Sequence, residues 1–255
     1  MTIFYFTATG NSLAVAKQIG GTLISIPQVV DSDNAHYKDD AIGIVFPIYW
    51  WSVPIMVRRF LDRATFESDY VFAVGTYGNF AGGAMVSLQN QAKLKGYSFD
   101  YSNHLLMLDN YLPVFEMGVQ AKKFAKRPIT ENAARIASDI NSRKHMNAKA
   151  HLGKRAMTSL FRHIFKPALN ARKYIVNDSC NTCGVCAQVC PAKNVAVSDK
   201  VSFGDHCEGC LACLHLCPQG ALHVKGEKSD RRWRNPEVTL KEIIASNDAK
   251  ETQEK

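Results

Sequence analysis

Short apolar runs alternate with segments of helical periodicity over the front half of the chain. The runs are rich in aromatic and β-branched residues, and they predict strands at 3–6, 23–26, 41–46, 70–75 and 105–108. Hydrophobic residues at steps of three and four, such as Val53, Met56, Val57 and Phe60, predict helices at 12–19, 53–64 and 84–95. Strands separated by amphipathic helices favour a parallel sheet covered on both faces. The predicted fold class is therefore α/β, with five strands in a small doubly wound domain.

The composition fits a folded chain of two domains. The chain has 255 residues, of which 46% are hydrophobic and 21% charged, which supports a buried core rather than disorder. No apolar run reaches the roughly 18 residues needed to span a bilayer, because Pro47 interrupts the best one. The amino terminus begins with a strand-like run and not with a basic region ahead of an apolar one, so we expect a cytoplasmic protein.

The loop after the first predicted strand suits a phosphate. Residues 7–12 read Thr-Ala-Thr-Gly-Asn-Ser and lead directly into a helix. Backbone N–H groups at a helix start, assisted by these hydroxyls, can hold a phosphate without a cationic side chain. The loop lacks both the Gly-Lys-Ser/Thr of nucleotide triphosphatases and the Gly-x-Gly-x-x-Gly of dinucleotide-binding folds. An ordinary helix cap is the alternative interpretation.

Two further loops follow the third and fourth predicted strands, at the edge where doubly wound sheets bind ligands. Residues 47–54 place Tyr49, Trp50 and Trp51 in succession, which suits either stacking on a flat ring or covering the adjoining helix. Residues 75–79 are rich in glycine and polar groups, which suits either a ligand contact or a simple turn.

Taken together, the three loops resemble the flavodoxin family, whose first loop has the form Thr/Ser-x-Thr-Gly-x-Thr/Ser and binds the phosphate of FMN. The resemblance covers about residues 1–112 and implies a flavodoxin-like sheet of order 2-1-3-4-5. It implies that the phosphate is held by Thr7, Thr9, Gly10, Asn11 and Ser12. It also implies that the flavin ring borders Pro47, Ile48, Tyr49, Trp50, Thr76, Tyr77, Gly78 and Asn79, with Trp50 or Tyr77 flanking it.

All eight cysteines lie between residues 180 and 217. They form two runs of Cys-x2-Cys-x2-Cys-x3-Cys-Pro, and the second run starts 27 residues after the first, at 207 against 180. Such clustering indicates a metal site or disulfides, and disulfides rarely persist in a reducing compartment. Zinc is the alternative metal, although structural zinc sites usually pair two Cys-x2-Cys knuckles instead of repeating a four-cysteine run.

The region from 174 to 224 closely resembles bacterial two-cluster ferredoxins, in which the fourth cysteine of each run ligates the other cluster. The resemblance implies a small α+β domain with two [4Fe-4S] clusters. One cluster would be held by Cys180, Cys183, Cys186 and Cys217, and the other by Cys190, Cys207, Cys210 and Cys213. His206 and His215 are interpreted as packing or hydrogen-bonding residues, because cysteine already fills every ligand position.

Positive charge is concentrated in one segment. The chain has a formal net charge of +8, but residues 121–175 hold 14 Lys and Arg against 2 acidic residues, a net +12. No nucleic-acid-binding motif accompanies this charge, so we expect no nucleic-acid partner. Two amphipathic helices are predicted, with stripes of Ile129, Ala133, Ile136, Ala137 and Ile140, and of Met157, Leu160, Phe161, Ile164 and Phe165. The second helix is compatible with contact to a membrane surface, docking of an acidic redox protein, or packing between domains.

The chain therefore divides into four predicted segments: a flavodoxin-like FMN-binding domain at 1–150, a basic helical linker at 151–173, a ferredoxin domain at 174–226 and a polar tail at 227–255. We expect the tail to fray, with Trp233 as a lone anchor and with Thr239 and Glu242 as a capping box.

The order of these segments resembles that of fused flavodoxin–ferredoxin proteins. The expected function is electron transfer between FMN and two [4Fe-4S] clusters and on to a redox partner protein, an activity that needs no acid–base residues. One alternative is a flavin-dependent reductase that is fed by the clusters and acts on a quinone or nitro compound. Another is a redox or iron sensor.

Overall fold

A six-stranded parallel sheet forms the centre of the first half of the protein. The computed structural model describes residues 1–32, 35–164, 167 and 171–248. The strands of this half are β1 (Thr2–Tyr5), β2 (Thr22–Ser25), β3 (His36–Lys38), β4 (Ala41–Pro47), β5 (Thr65–Glu67), β6 (Tyr70–Tyr77), β7 (Tyr101–Leu106) and β8 (Met146–Asn147). The order in the sheet is β2-β1-β4-β6-β7-β8, and β3 pairs with β5 separately.

Helices cover both faces of the sheet. They are α1 (Asn11–Ile19), α2 (Ile26–Val29), α3 (Ile55–Arg63), α4 (Ala84–Leu94), α5 (Met117–Phe124), α6 (Ile129–Asn141) and α7 (Leu152–Ile164). Successive strand residues point to opposite faces, so Ile3 and Tyr5 join one hydrophobic layer while Phe4 and Phe6 join the other. Helices α1 and α6 pack on the first layer, and α3 and α4 pack on the second.

Two predictions about the sheet are wrong. The sheet has six strands instead of five, because β8 adds to its edge beside β7. A strand of two exposed residues leaves no hydrophobic pattern to detect. The fifth strand of the sheet, β7, begins at Tyr101 and not at residue 105. Its first four residues read as a polar run, but Ser102 is fully buried and its hydroxyl donates to the Asn147 side chain at 2.8 Å.

Among the described residues of the basic segment, α6 and α7 lie entirely within it and α5 ends there at Phe124. The apolar stripe predicted for α6 is buried at Ala133, Ile136, Ala137 and Ile140. In α7, by contrast, Leu160 is 57% exposed, so this part of the predicted stripe does not pack. The side chains of Phe161 and Ile164, and all of Phe165, lie outside the described residues. In the described part of the chain, no helix is long and apolar enough to cross a membrane.

Residues 174–224 fold as two copies of one strand–helix–strand unit. The copies are β9 (Tyr174–Val176), α8 (Val185–Gln188) and β10 (Val195–Val197), then β11 (Val201–Phe203), α9 (Ala212–His215) and β12 (Leu222–Val224). Every element starts 27 residues after its counterpart, as 201 follows 174, so the repeat in the sequence is also a repeat in the structure. Strand β9 pairs antiparallel with β12, and β10 pairs antiparallel with β11, so each small sheet takes one strand from each copy.

Residues with a positive φ also occur at equivalent positions of the two copies. Three pairs separated by 27 positions share a positive φ: Thr182 with Gly209, Gly184 with Leu211, and Lys193 with Gly220. One member of each pair is glycine, and the other carries a side chain that costs about 1–2 kcal/mol in this conformation. The fold therefore imposes the conformation whichever residue is present.

The described part of the tail, residues 227–248, packs back onto the first half of the protein, so the expectation that it frays is wrong there. Helix α10 (Leu240–Asn247) buries Ile243 completely, and the predicted capping box of Thr239 and Glu242 is present. The polar composition is misleading here, because several of these polar side chains form hydrogen bonds with the first half. Residues 249–255 lie outside the described part of the chain.

Candidate functional site

A cleft of about 280 Å³ opens at the carboxyl ends of β1, β4 and β6. The three predicted loops meet there, because the carboxyl ends of neighbouring parallel strands share one edge of the sheet. The predicted residues that line the cleft are Thr7, Thr9, Asn11, Ser12, Pro47, Ile48, Tyr49, Trp50, Thr76, Tyr77, Gly78 and Asn79.

The first loop presents hydroxyls and helix N–H groups to the cleft. The Thr7 hydroxyl is buried and has no hydrogen-bond partner among the described residues. The Asn110 side chain donates to Thr9 Oγ1 at 2.6 Å, and the hydroxyls of Ser12 and Thr76 lie 2.9 Å apart. An unsatisfied buried hydroxyl costs about 1–3 kcal/mol, and the first N–H groups of a helix such as α1 have no partner within the helix. A bound anion would satisfy both kinds of donor.

Gly10 is the one predicted cleft residue that does not line the cleft. It has a φ of 102° and lies against the C-terminal segment, where a Cβ atom would come within 3.0 Å of the side chains of Asn235 and Val238. Glycine is required here by the backbone conformation and by this packing. The prediction that Gly10 helps to hold a phosphate stays a prediction.

The second loop contains a strained turn. The backbones of Tyr49 and Ser52 exchange two hydrogen bonds of 3.0 and 2.9 Å, and Trp50 and Trp51 between them have φ values of 49° and 61°. Such two-residue turns favour Asn-Gly, and a bulky residue in this conformation costs about 1–3 kcal/mol. The Thr158 hydroxyl of α7 donates to the Trp51 carbonyl at 2.9 Å, which helps to hold the turn. Strain of this kind is typical of functional sites.

A fourth loop lines the cleft and was not predicted. It follows β7 and contributes Leu108, Asp109, Asn110, Tyr111, Val114 and Phe115. The centroids of the Tyr111 and Trp50 rings lie 5.0 Å apart, with an interplanar angle of 79°. Burial raises the pKa of Asp109. A Cβ atom at Gly78 would lie 2.3 Å from that of Asp109, so only glycine fits beside this loop. The predicted fifth strand already ends at residue 108, so the position of this loop at the carboxyl end of a strand is the signal that could have indicated it.

The eight cysteines line two further cavities and are all free thiols. The first cysteine set is Cys180, Cys183, Cys186 and Cys217. The second cysteine set is Cys190, Cys207, Cys210 and Cys213. Each cavity thus takes three cysteines from one copy of the repeat and the fourth from the other copy. Four thiols around one cavity are a donor set suited to iron–sulfur clusters and to zinc.

Backbone N–H groups point at several of the sulfur atoms. The Asn194 N–H donates to Cys190 Sγ at 3.2 Å, and its counterpart 27 residues later, the Ala221 N–H, donates to Cys217 Sγ at 3.4 Å. The Gly209 N–H donates to Cys207 Sγ at 3.3 Å. Hydrogen bonds to sulfur stabilise thiolates and tune the potential of a bound cluster.

The second cysteine set adjoins the cleft. Gly209, Cys210 and Leu211 line the cleft, and Cys210 also lines the cavity of the second cysteine set. The neighbouring Glu208 is buried, and its carboxylate accepts hydrogen bonds from the Met56 N–H at 2.8 Å and the Ile55 N–H at 3.1 Å at the start of α3. Burial raises the pKa of Glu208 to about 7. The cysteine loop and the second cleft loop are therefore packed together.

The two histidines beside the cysteines have other partners. His215 Nε2 lies 2.7 Å from the Asn110 carbonyl, to which it donates, and its Nδ1 accepts from the Trp233 N–H at 3.2 Å. Burial lowers the pKa of His215 to about 4. His206 Nδ1 lies 2.5 Å from an Asp205 carboxylate oxygen at the surface.

Several solved structures are similar to part of the chain. The two-electron reduced flavodoxin from Megasphaera elsdenii is 18% identical, with a TM-score of 0.35 over 54% of this chain and 98% of that one. The NAD(P)H:quinone oxidoreductase from Methanothermobacter marburgensis is 12% identical, with a TM-score of 0.34 over 55% of this chain and 97% of that one. The Trp repressor binding protein from Bacillus subtilis is 10% identical, with a TM-score of 0.38 over 57% and 99%.

No protein-family model matches the chain, and no curated protein matches it either. At such low identities and TM-scores, the structural neighbours carry no argument about activity. The residues of the cleft and of the two cysteine sets carry the evidence on function.

Proposed function

We propose that this protein is an electron carrier that binds FMN in the cleft and a [4Fe-4S] cluster at each cysteine set. The observation that carries the proposal is that Cys210 lines both the cleft and the cavity of the second cysteine set. A flavin exchanges one or two electrons and a cubane cluster exchanges one, so adjacent sites allow an electron pair to be divided or assembled. The role of the protein is to fix the distance and the potentials.

The cleft supports FMN through two kinds of residue. The unpartnered Thr7 hydroxyl and the N–H groups of α1 are suited to the phosphate. The aromatic side chains of Tyr49, Trp50, Tyr77 and Tyr111 surround the remaining space and are suited to a flat ring. Asp109 is the carboxylate that lines the cleft, and no described histidine or lysine does. This donor set fits ligand binding better than general acid–base chemistry.

Three features of the cysteine sets support clusters: the number of cysteines, their spacing, and the one cysteine of each set that comes from the other copy of the repeat. Four thiols converge on each cavity, and the fourth member of each set follows the pattern of two-cluster ferredoxins. The N–H groups of Asn194, Gly209 and Ala221 supply hydrogen bonds to sulfur, which tune the potential of a bound cluster. Structural zinc sites usually pair two Cys-x2-Cys knuckles, so two interleaved sets of four cysteines favour clusters over zinc.

The proposed redox partner is an acidic protein that docks beside the cleft. Helix α7 is joined to the cleft by Thr158, and the Lys154 ammonium of the same helix lies 5.2 Å from the ring centroid of Phe80, a cleft residue. Lys154 and Arg155 are exposed. Exposed cations beside a binding site accelerate the approach of an acidic partner, and added salt reduces the effect.

Cofactor analysis after anaerobic purification tests the proposal. We expect about eight irons, eight sulfides and one FMN per chain. Colourless protein, or protein that contains zinc in place of iron, would contradict it. Steady-state assays with a quinone and a nitro compound then separate the carrier from a reductase: a saturable KM for the small acceptor would favour the reductase.

A further inference from the structure

The two cysteine sets are not equivalent in their surroundings. Every cysteine of the second cysteine set is buried or half-buried, and its cavity is walled by buried residues that include Pro191, Asn194 and Leu211. In the first cysteine set, Cys183 is exposed. Beside the buried Leu222, that cavity is lined by four further exposed residues: Asn181, Thr182, Pro218 and Gln219.

The sets also differ in their relation to the cleft. The second cysteine set shares Cys210 with the cleft, whereas no residue that lines the first cavity lines the cleft. The buried carboxylate of Glu208 fixes the second set in place, because it accepts the N–H groups of Met56 and Ile55 at the start of α3. The position of the second set against the cleft is therefore built into the fold.

From this asymmetry we infer a fixed order of electron transfer, which rests on the proposed function. The cluster that the second cysteine set would hold exchanges electrons with the flavin that the cleft would bind, and it does not contact an external protein. The first cysteine set exchanges electrons with an external one-electron carrier protein at the surface around Cys183. The chain thus has two ends, the open cleft and this surface.

The electron balance is simple. One electron leaves the reduced flavin and reduces the cluster of the second set, passes to the cluster of the first set, and reduces one molecule of the external carrier. A second identical transfer removes the other electron of the pair, and the flavin protons pass to solvent. Reversal of the same steps loads the flavin from a reduced carrier.

Selective cluster loss tests this order in the intact holoprotein. Anaerobic holoprotein is treated with limited ferricyanide and EDTA until half of the iron is lost, and the released thiols are alkylated with iodoacetamide and mapped. We expect Cys180, Cys183 and Cys217 to carry the label while Cys207 and Cys210 do not, with the FMN content and the FMN midpoint potential unchanged. Labelling of Cys207 and Cys210 first, or equal labelling of both sets, would overturn the inference.

The half-depleted protein provides a second measurement. Its flavin, once reduced, should pass electrons to cytochrome c, used as the one-electron acceptor, at least tenfold more slowly than the intact protein does. An unchanged rate would show that the first set is not on the route. The outcome is distinct from failure of the proposed function, because protein that never contained iron or FMN would fail at the cofactor analysis, before this comparison.

Discussion

Glu208 and Met56 connect the two halves of the protein, since a Glu208 carboxylate oxygen accepts a hydrogen bond from the Met56 backbone N–H at 2.8 Å. Glu208 directly follows Cys207 of the second cysteine set, and Met56 lies in the first turn of α3, which follows the second cleft loop. The contact is buried. A carboxylate at a helix start satisfies N–H groups that have no partner within the helix.

Replacement of Glu208 should destabilise the junction. In Glu208→Ala, the buried N–H of Met56 and the part-buried N–H of Ile55 lose their acceptor, and we expect a loss of about 2–3 kcal/mol in the free energy of unfolding. Glu208→Gln keeps one acceptor oxygen in nearly the same volume and should lose less. Urea titration of the holoprotein measures both variants. Equal stability of Glu208→Ala and the wild type would show that the contact does not join the halves.

The Thr7 hydroxyl should select for a phosphorylated ligand. Thr7→Ala removes a donor to a charged group, which is worth about 1.5–3 kcal/mol, so the Kd for FMN should rise about 10- to 100-fold while the Kd for riboflavin stays the same. Isothermal titration with both flavins gives the comparison.

The matched control for Thr7→Ala is Ser25→Ala, which removes another buried hydroxyl that has no hydrogen-bond partner among the described residues and does not line the cleft. This variant should bind FMN like the wild type. A parallel loss of FMN and riboflavin affinity in Thr7→Ala would mean that Thr7 does not contact the phosphate.

The central strands and the first three cleft loops could be predicted from the sequence, because apolar runs such as residues 41–46 are buried on both faces of the sheet and loops such as 7–12 carry a specific hydroxyl pattern. The fifth strand was misplaced because Ser102 and Asn147 satisfy each other within the structure, and local hydrophobicity does not register a polar pair of this kind.

The cysteine pattern was the strongest signal in the sequence, since eight residues of one type at fixed spacing have few alternative explanations. The sequence did not indicate that Cys210 adjoins the cleft, because this contact depends on how two distant segments pack. The sequence did not indicate the packing of Gly10 either. Its neighbours Asn235 and Val238 lie more than 200 positions along the chain, and no local pattern reports them.

The left-handed residue Thr182 offers a stabilising substitution. It is exposed, with a φ of 54°, and its counterpart in the second copy of the repeat is Gly209. Thr182→Gly removes the steric cost of this conformation and should stabilise the holoprotein by about 0.5–1 kcal/mol, a rise in Tm of about 2 °C. Differential scanning calorimetry measures the change. Ser198→Gly, at an exposed position without positive φ, is the control and should not raise Tm.

The C-terminal helix should contribute to the stability of the first half of the protein. Ile243 is fully buried, and Ile243→Ala should cost about 2–5 kcal/mol in the free energy of unfolding. Lys241→Ala, at an exposed position of the same helix, should change it by less than about 0.5 kcal/mol. Chemical denaturation of the two variants in parallel makes the comparison. If both behave like the wild type, the helix does not belong to the core.

Electron exchange between the flavin and the clusters within one chain is the central claim, and flash reduction of the clusters tests it most directly. After a laser pulse reduces the clusters in anaerobic holoprotein, bleaching of the flavin absorbance follows the arrival of the electron. We predict a first-order phase whose rate constant does not change when the protein is diluted tenfold. A rate that falls in proportion to the protein concentration would contradict the account. Electrons would then pass between molecules and not within one chain, between the cleft and the second cysteine set that meet at Cys210.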